Sequence, residues 1–281
     1  MKKFLLYLAA CGSLVIAILF AIVALRMARV SDDVTRAATV RENTEVLVIG
    51  NSHAGCTWED DSAQGVQVMW RSACTLPFYW VKLEEAIRCG GLRNVKTLVV
   101  VCDRASIGLK EERLVADAAE MWPITWRYLH KLPVSSFAVV KKMLLPLSAK
   151  WNFIEVAPTD DRCWTKLSSE QRAEELNDIY GKPLPPPSEE VQRTVLDYLG
   201  RMKAICDNHG VKIVLYFSPL PSDNPQRGDE FLPVWKSRLE SVGYRVIDYR
   251  TSMPDDRFRD SHHLSYRGRL QFTKEHVKDV K

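Results

Sequence analysis

The feature that most constrains this chain is a series of short β-branched runs separated by longer stretches of helical periodicity. Glu45–Gly50 (EVLVIG), Val66–Trp70, Lys96–Cys102 (KTLVVVC), Val211–Phe217 (VKIVLYF) and Tyr244–Asp248 read as strands. The third and fourth runs are apolar without alternation, the pattern of strands covered on both faces. Phe78–Arg88, Glu189–Asn208, Asp229–Ser241 and Tyr266–Val280 read as helices, with Gly210 placed to cap the second of them. Strands alternating with helices predict an α/β domain over residues 45–281, built on a doubly wound, flavodoxin-like sheet of about five parallel strands. No internal repeat interrupts the pattern.

Residues 110–190 break this rhythm. They carry Trp122, Trp126, Trp151 and Trp164, several short helical patches and the stiff segment Gly181–Pro187 (GKPLPPP). The expectation is an insertion that packs its own aromatic mini-core on the sheet, in preference to a carbohydrate-stacking platform. The proline run reads as a rigid connector.

Composition removes whole classes of chain. With 46% hydrophobic and 26% charged residues the sequence is neither disordered nor fibrous. Lys+Arg 39 against Asp+Glu 35 leaves a net charge of +4, without a basic block interleaved with aromatics, so no nucleic-acid partner is expected.

The apolar residues are unevenly spread. Phe4 to Leu25 contains no charge and is flanked by Lys2-Lys3 and by Arg26 and Arg29. About 20 apolar residues rising 1.5 Å each cross a bilayer core, so residues 1–25 read as a transmembrane anchor and 26–44 as a polar linker. Leu8-Ala9-Ala10-Cys11 looks like a lipoprotein processing box, but the apolar run continues well past Cys11, which favours an uncleaved anchor. Arg26, Arg29, Arg36 and Arg41 follow the span, yet long domains translocate largely regardless of such charge, so charge alone does not set the topology. The expected location is a bacterial inner membrane, single-pass, with the domain outside the cytoplasm.

Beyond Cys11, six cysteines remain: Cys56, Cys74, Cys89, Cys102, Cys163 and Cys206. No C-x-x-C pair suggests a structural zinc or thioredoxin-type motif, and buried free thiols and one or two bridges both stay open.

The residues that carry chemistry lie at the two ends of the domain. The first strand runs into Gly50-Asn51-Ser52-His53-Ala54, and ligands of α/β sheets gather outside the carboxyl ends of strands. Ser52 is therefore a candidate nucleophile, or else a simple helix cap. Near the carboxyl terminus stands Asp260-Ser261-His262-His263-Leu264-Ser265-Tyr266-Arg267-Gly268. Asp260 can accept a hydrogen bond from His263 across a tight turn, leaving the other imidazole nitrogen to serve Ser52 as a general base; the duller reading is a surface ion pair. His262 reads as a neighbour of that base, and His53 as a solvent-side or substrate-contact residue. His53, Asp260, His262 and His263 together could hold a metal. No helical His pair or carboxylate cluster supports one, so neither metal nor cofactor is expected. Asp103 and Arg104 close the third strand either as an ion pair or as oxyanion elements, and Ser218-Pro219-Leu220-Pro221 reads as a rigid loop at the pocket rim.

On VLVIGNSHA and DSHHLSYRG the chain resembles the SGNH (GDSL-like) hydrolase superfamily, in particular SGNH domains that follow integral-membrane O-acyltransferases of envelope polysaccharides. It also resembles the anchored SGNH-like proteins of alginate-type acetylation systems. The likeness covers the domain in outline, with specific motifs only at its ends. It implies Ser52 as nucleophile, His263 as base, Asp260 as its orienting acid, and an oxyanion hole that includes the Ser52 N–H. Ser72-Ala73-Cys74-Thr75-Leu76-Pro77 loosely resembles the family's Cys-Pro-Pro turn. Three departures stand out. Ser72 or Ala73 occupies the second-block position where the family has Gly. The third strand ends in Cys102-Asp103-Arg104 instead of G-x-N-D, and Asn51 replaces the usual Asp.

The resemblance implies a membrane-tethered acyltransferase or acylesterase. It would move an acyl group, most simply acetyl, on an envelope glycan, with an integral-membrane acyltransferase as partner. Two further readings are a non-catalytic glycan-binding or scaffold partner of such an acyltransferase, and a lipid esterase at the membrane surface.

Overall fold

In the computed structural model the described residues are 38–144, 156–160, 162–181 and 185–281, with scattered positions among the first 21. Residues 22–37 and several positions before them lie outside this set, so the expected span is described only in part. Among the described residues no helix is long and apolar enough to cross a membrane.

The elements follow in chain order: β1 (Val46–Gly50), α1 (Ser52–Gly55), β2 (Val66–Trp70), α2 (Leu76–Arg88), β3 (Thr97–Val101), α3 (Arg104–Ile107), α4 (Glu111–Glu120), α5 (Trp122–Thr125), α6 (Ser136–Leu144), α7 (Ser169–Tyr180), α8 (Glu189–Asn208), β4 (Lys212–Phe217), α9 (Phe231–Ser241), β5 (Arg245–Asp248) and α10 (Tyr266–Val280). The five strands form one parallel sheet in the order β2-β1-β3-β4-β5, the flavodoxin-like arrangement. β1 and β3 are buried along their whole length, which is why both are written in β-branched and aliphatic residues without alternation. The helix expected from Phe78 starts two residues earlier, because Pro77 suits a first helical turn where its missing N–H costs nothing.

The insertion departs from expectation. Trp164 is fully buried and belongs to the main core, and Trp122 packs against that core from the side. Trp126 faces solvent with the Arg127 guanidinium 5.0 Å from its ring centre, and Trp151 lies outside the described residues. The aromatic residues thus serve the principal core instead of a separate mini-core. The reason is tertiary: the Trp164 N–H donates to the Phe258 carbonyl (2.8 Å), and its ring N–H donates to the Asp223 carboxylate (2.9 Å), both from distant loops.

The site geometry begins with register. β1 and β3 pair in phase, Ile49 beside Val100, so Gly50 stands beside Val101 and both strands end at the same height. Sequence order reverses between these two strands, and the reversal opens a crevice at their carboxyl ends. Gly50 is needed there for close approach, since its φ is not positive. A Cβ at this position would overlap the side chains of Val101 and Ala54. Gly50→Ala should therefore destabilise the fold by about 1–3 kcal/mol through overpacking. The expected signature is a lower urea midpoint at unchanged m-value, and an unaltered midpoint would refute the close-approach account.

Candidate functional site

α1 starts directly at the end of β1. Asn51 is its N-cap: the side-chain oxygen accepts from the His53 N–H at 2.9 Å. This explains how Asn serves where the resemblance leads one to expect Asp. Ser52 opens the helical turn and is half-buried; His53 is 6% exposed and points inward. The solvent-side reading of His53 is thus corrected. Its Nδ1 lies 2.6 Å from Oδ2 of Asp103, the N-cap of α3 just beyond β3. Burial by itself would lower the His53 pKa, but the Asp103 carboxylate outweighs it and the net shift is upward. Asp103 shows the converse: burial pushes it up, and His53 together with the Ser106 N–H brings it below its ordinary value.

Asp103 and Arg104 do not pair with each other. The Arg104 Nε meets Asp229 at 3.0 Å, one Nη donates to the Pro185 carbonyl at 2.9 Å, and the guanidinium lies 4.9 Å from the Phe231 ring centre. Arg104 is therefore engaged with the α9 side of the molecule. The loop after β4 contributes more than a rim, since the buried Ser218 hydroxyl donates to Asp103 at 3.4 Å.

The carboxyl-terminal block folds as a tight loop closed by an antiparallel bridge between Phe258 and Leu264. Within it, Asp260 Oδ1 accepts the N–H groups of His262 (3.1 Å) and His263 (2.8 Å), while Oδ2 stands 3.0 Å from His263 Nδ1. Burial would raise the Asp260 carboxyl, but these bonds and both imidazoles hold it well below the usual range. The Nε2 of His263 is buried without a protein partner among the described residues. Burial and the two neighbouring imidazoles keep His262 well below its ordinary pKa, and its Nδ1 lies 2.9 Å from the Ser261 hydroxyl oxygen.

Although the two blocks are distant in sequence, α10 holds them together. Its Arg269 pairs with Glu59 at 2.9 Å, Thr273 Oγ1 accepts the Glu59 N–H at 2.8 Å, and Phe272 packs edge-on against Trp58 with ring centres 5.1 Å apart. Gly268 lets the helix start against the Arg257 carbonyl, where a Cβ would collide. As a result the His53 ring lies 5.3 Å from that of His262 and 5.4 Å from that of His263, and the His262 and His263 rings are 3.9 Å apart.

Three supports were not singled out from sequence. The Glu175 carboxylate accepts the Ser261 N–H (2.8 Å), Asn224 donates to the Ser261 carbonyl (2.6 Å), and the Tyr180 ring stands edge-on to His262 at 6.3 Å. Glu175 and Tyr180 belong to α7, in the insertion, and no local motif marks them. The cysteines are all free thiols. Burial pushes Cys56 up to about 11 and Cys74, Cys102 and Cys206 up to about 12, so none of these four is a thiolate nucleophile near neutral pH.

No protein-family model matches the chain, and no curated protein matches it. Among solved structures, it is similar at 10% identity to a crystal structure from Bacteroides fragilis given a provisional acylhydrolase description. The match covers 89% of this chain and 93% of that one, with a TM-score of 0.43. Likeness at that level is one of outline, and neither activity nor ancestry follows from it.

Ser72 and Ala73 are exposed in the turn after β2, and Ala73 adopts a left-handed φ of 53°. Helix α4 clamps this turn. Arg113 donates to the Ser72 and Ala73 carbonyls at 3.1 and 2.9 Å, and Asp117 accepts from the N–H and hydroxyl of Thr75 at 3.1 and 3.0 Å. Burial raises the Asp117 carboxyl to about 6, against the opposing pull of Arg113 and Thr75. A folded-state pKa above the unfolded 3.8 means that the fold favours the protonated acid. Its contribution is complete below 3.8 and lost as pH rises through about 6. Asp117→Asn cannot titrate and should gain stability relative to wild type across that window, measured by urea midpoints. A difference independent of pH would show that Asp117 ionises normally.

Proposed function

We propose that this chain is a serine acyltransferase or acylesterase of SGNH type, with Ser52 as nucleophile, His263 as general base and Asp260 as its orienting acid. One observation carries the reading. His263 is held by Asp260 through Nδ1, its Nε2 is buried without a protein partner among the described residues, and its ring packs beside His53, the residue that follows Ser52. In the reaction, Nε2 takes the Ser52 proton as Oγ attacks an acyl carbonyl, and His263 then returns the proton to the departing alcohol oxygen. A glycan hydroxyl or water next attacks the acyl-Ser52 ester, giving up its proton to His263 and regenerating Ser52. Asp260 keeps the Nδ1–H tautomer and stabilises the imidazolium without itself taking the proton. The Ser52 N–H is the oxyanion donor this reading assigns.

The reading extends to a substrate and a place. The apolar stretch 4–25 anchors the chain in the membrane, with the domain on the extracytoplasmic side. The acyl group is acetyl, the acceptor or donor is a cell-envelope polysaccharide, and an integral-membrane acyltransferase supplies the activated group. A scaffold role beside such an acyltransferase is favoured by a single observation, the engagement of Arg104 with Asp229, Pro185 and Phe231, which leaves the third-block oxyanion donor of the family without an evident substitute.

Metal-free full-length protein in detergent should react with a fluorophosphonate probe at Ser52, identified by mass spectrometry, and should release acetate from a chromogenic acetyl ester. Ser52→Ala should abolish both, and His263→Ala should lower kcat by at least about 10³. Absence of both labelling and turnover in the native protein would leave the scaffold role standing instead.

A further inference from the structure

His53, His262 and His263 each offer one ring nitrogen within 4.8 Å of those of the other two. One nitrogen of each ring has an oxygen beside it. Nδ1 of His53 lies against Asp103 (2.6 Å), Nδ1 of His263 against Asp260 (3.0 Å), and Nδ1 of His262 against the Ser261 hydroxyl (2.9 Å). With the proton on each Nδ1, Nε2 of each ring keeps its lone pair as the available donor. Metal-ligating histidines carry this kind of support, the second nitrogen bonding a carboxylate or other oxygen that fixes tautomer and ring orientation. Three imidazoles also suit a divalent first-row ion such as zinc, whose three-ligand sites keep a fourth position for water or substrate.

We propose that His53, His262 and His263 form a zinc-binding site at the crevice between β1 and β3, held from behind by Asp103, Asp260 and Ser261. The carboxylates supply two negative charges toward the ion; Arg259, 3.6 Å from Asp260, is the nearest opposing cation on that loop. The site needs only the imidazoles and stands independently of Ser52. Where both hold they exclude each other, since an Nε2 of His263 bound to zinc cannot accept the Ser52 proton. Zinc is then an inhibitor of the serine reaction.

The test uses tag-free full-length protein, stripped with chelator and titrated with zinc and with cobalt(II). The expected result is about one zinc per chain and intense visible cobalt bands of four- or five-coordinate geometry. His262→Ala should lose the bands, and Asp103→Asn should weaken zinc affinity by about 10–100-fold. A variant-free readout covers the case in which His262→Ala fails to fold. In the wild type, zinc should protect His262 and His263 from carbethoxylation while His130, His209 and His276 continue to react. Weak octahedral cobalt bands, bands that survive in folded His262→Ala, or equal protection of all histidines would overturn the site. Fluorophosphonate labelling of the stripped protein separates the two ideas. Labelling without zinc binding removes the metal site alone, and zinc binding without labelling removes the serine reading alone.

Discussion

The in-phase pairing of β1 with β3 is the constraint on which the rest depends. With Ile49 beside Val100, the two strands stop together, and the chain leaves each of them at the same edge of the sheet. His53 and Asp103 stand three and two residues beyond those ends, which brings an imidazole and a carboxylate to 2.6 Å across the reversal in strand order. A one-residue slip would turn the strand side chains to the opposite face and move the ends out of step. Gly50, between Val101 and Ala54, is the packing detail that allows the two strands to end so close.

A second pairing is brought against this one by α10. The Glu59–Arg269 bridge, the Thr273 bond and the Trp58–Phe272 contact seat the helix beside the loop after α1, so the Asp260–His263 turn that precedes it faces the same crevice. Two His–carboxylate pairs thus back onto a common space, with His262 between them. Burial makes both pairs electrostatically consequential. Each carboxylate keeps its charge against desolvation because it is met by an imidazole and backbone or side-chain donors, while burial and the two neighbouring imidazoles shift His262 the other way, toward its neutral form. Proton transfer from a hydroxyl and coordination of a metal ion draw on the same lone pair of His263, so the two chemistries compete at one atom.

The insertion also serves this crevice. Glu175 accepts the Ser261 N–H, the Tyr180 ring stands edge-on to His262, and Arg113 with Asp117 fastens the turn that carries Ser72 and Ala73. The segment that breaks the βα rhythm is therefore a support for the site, and its buried tryptophan joins the main core for the same reason.

Much of this was legible in the residues themselves. Unbroken β-branched runs can be stable only where both faces are covered, so the parallel sheet and its strands follow from composition and period. The Asp260–His263 pairing is local, three residues apart on a turn whose Asp side chain also accepts two backbone N–H groups. Other relations had no local signature. His53 reads as a solvent-side or substrate-contact residue until Asp103 lies beside it, Asp103 and Arg104 read as an ion pair or as oxyanion elements until Asp229 and Phe231 are seen to hold Arg104, and His53 shares no local motif with the distant His262-His263 pair. Short-range chemistry and periodicity were set by the order of the amino acids, because they act within a few residues of chain. The gathering of imidazoles and carboxylates in one buried crevice was decided by the tertiary structure alone, because register and helix packing determine which strand ends and loops share a space.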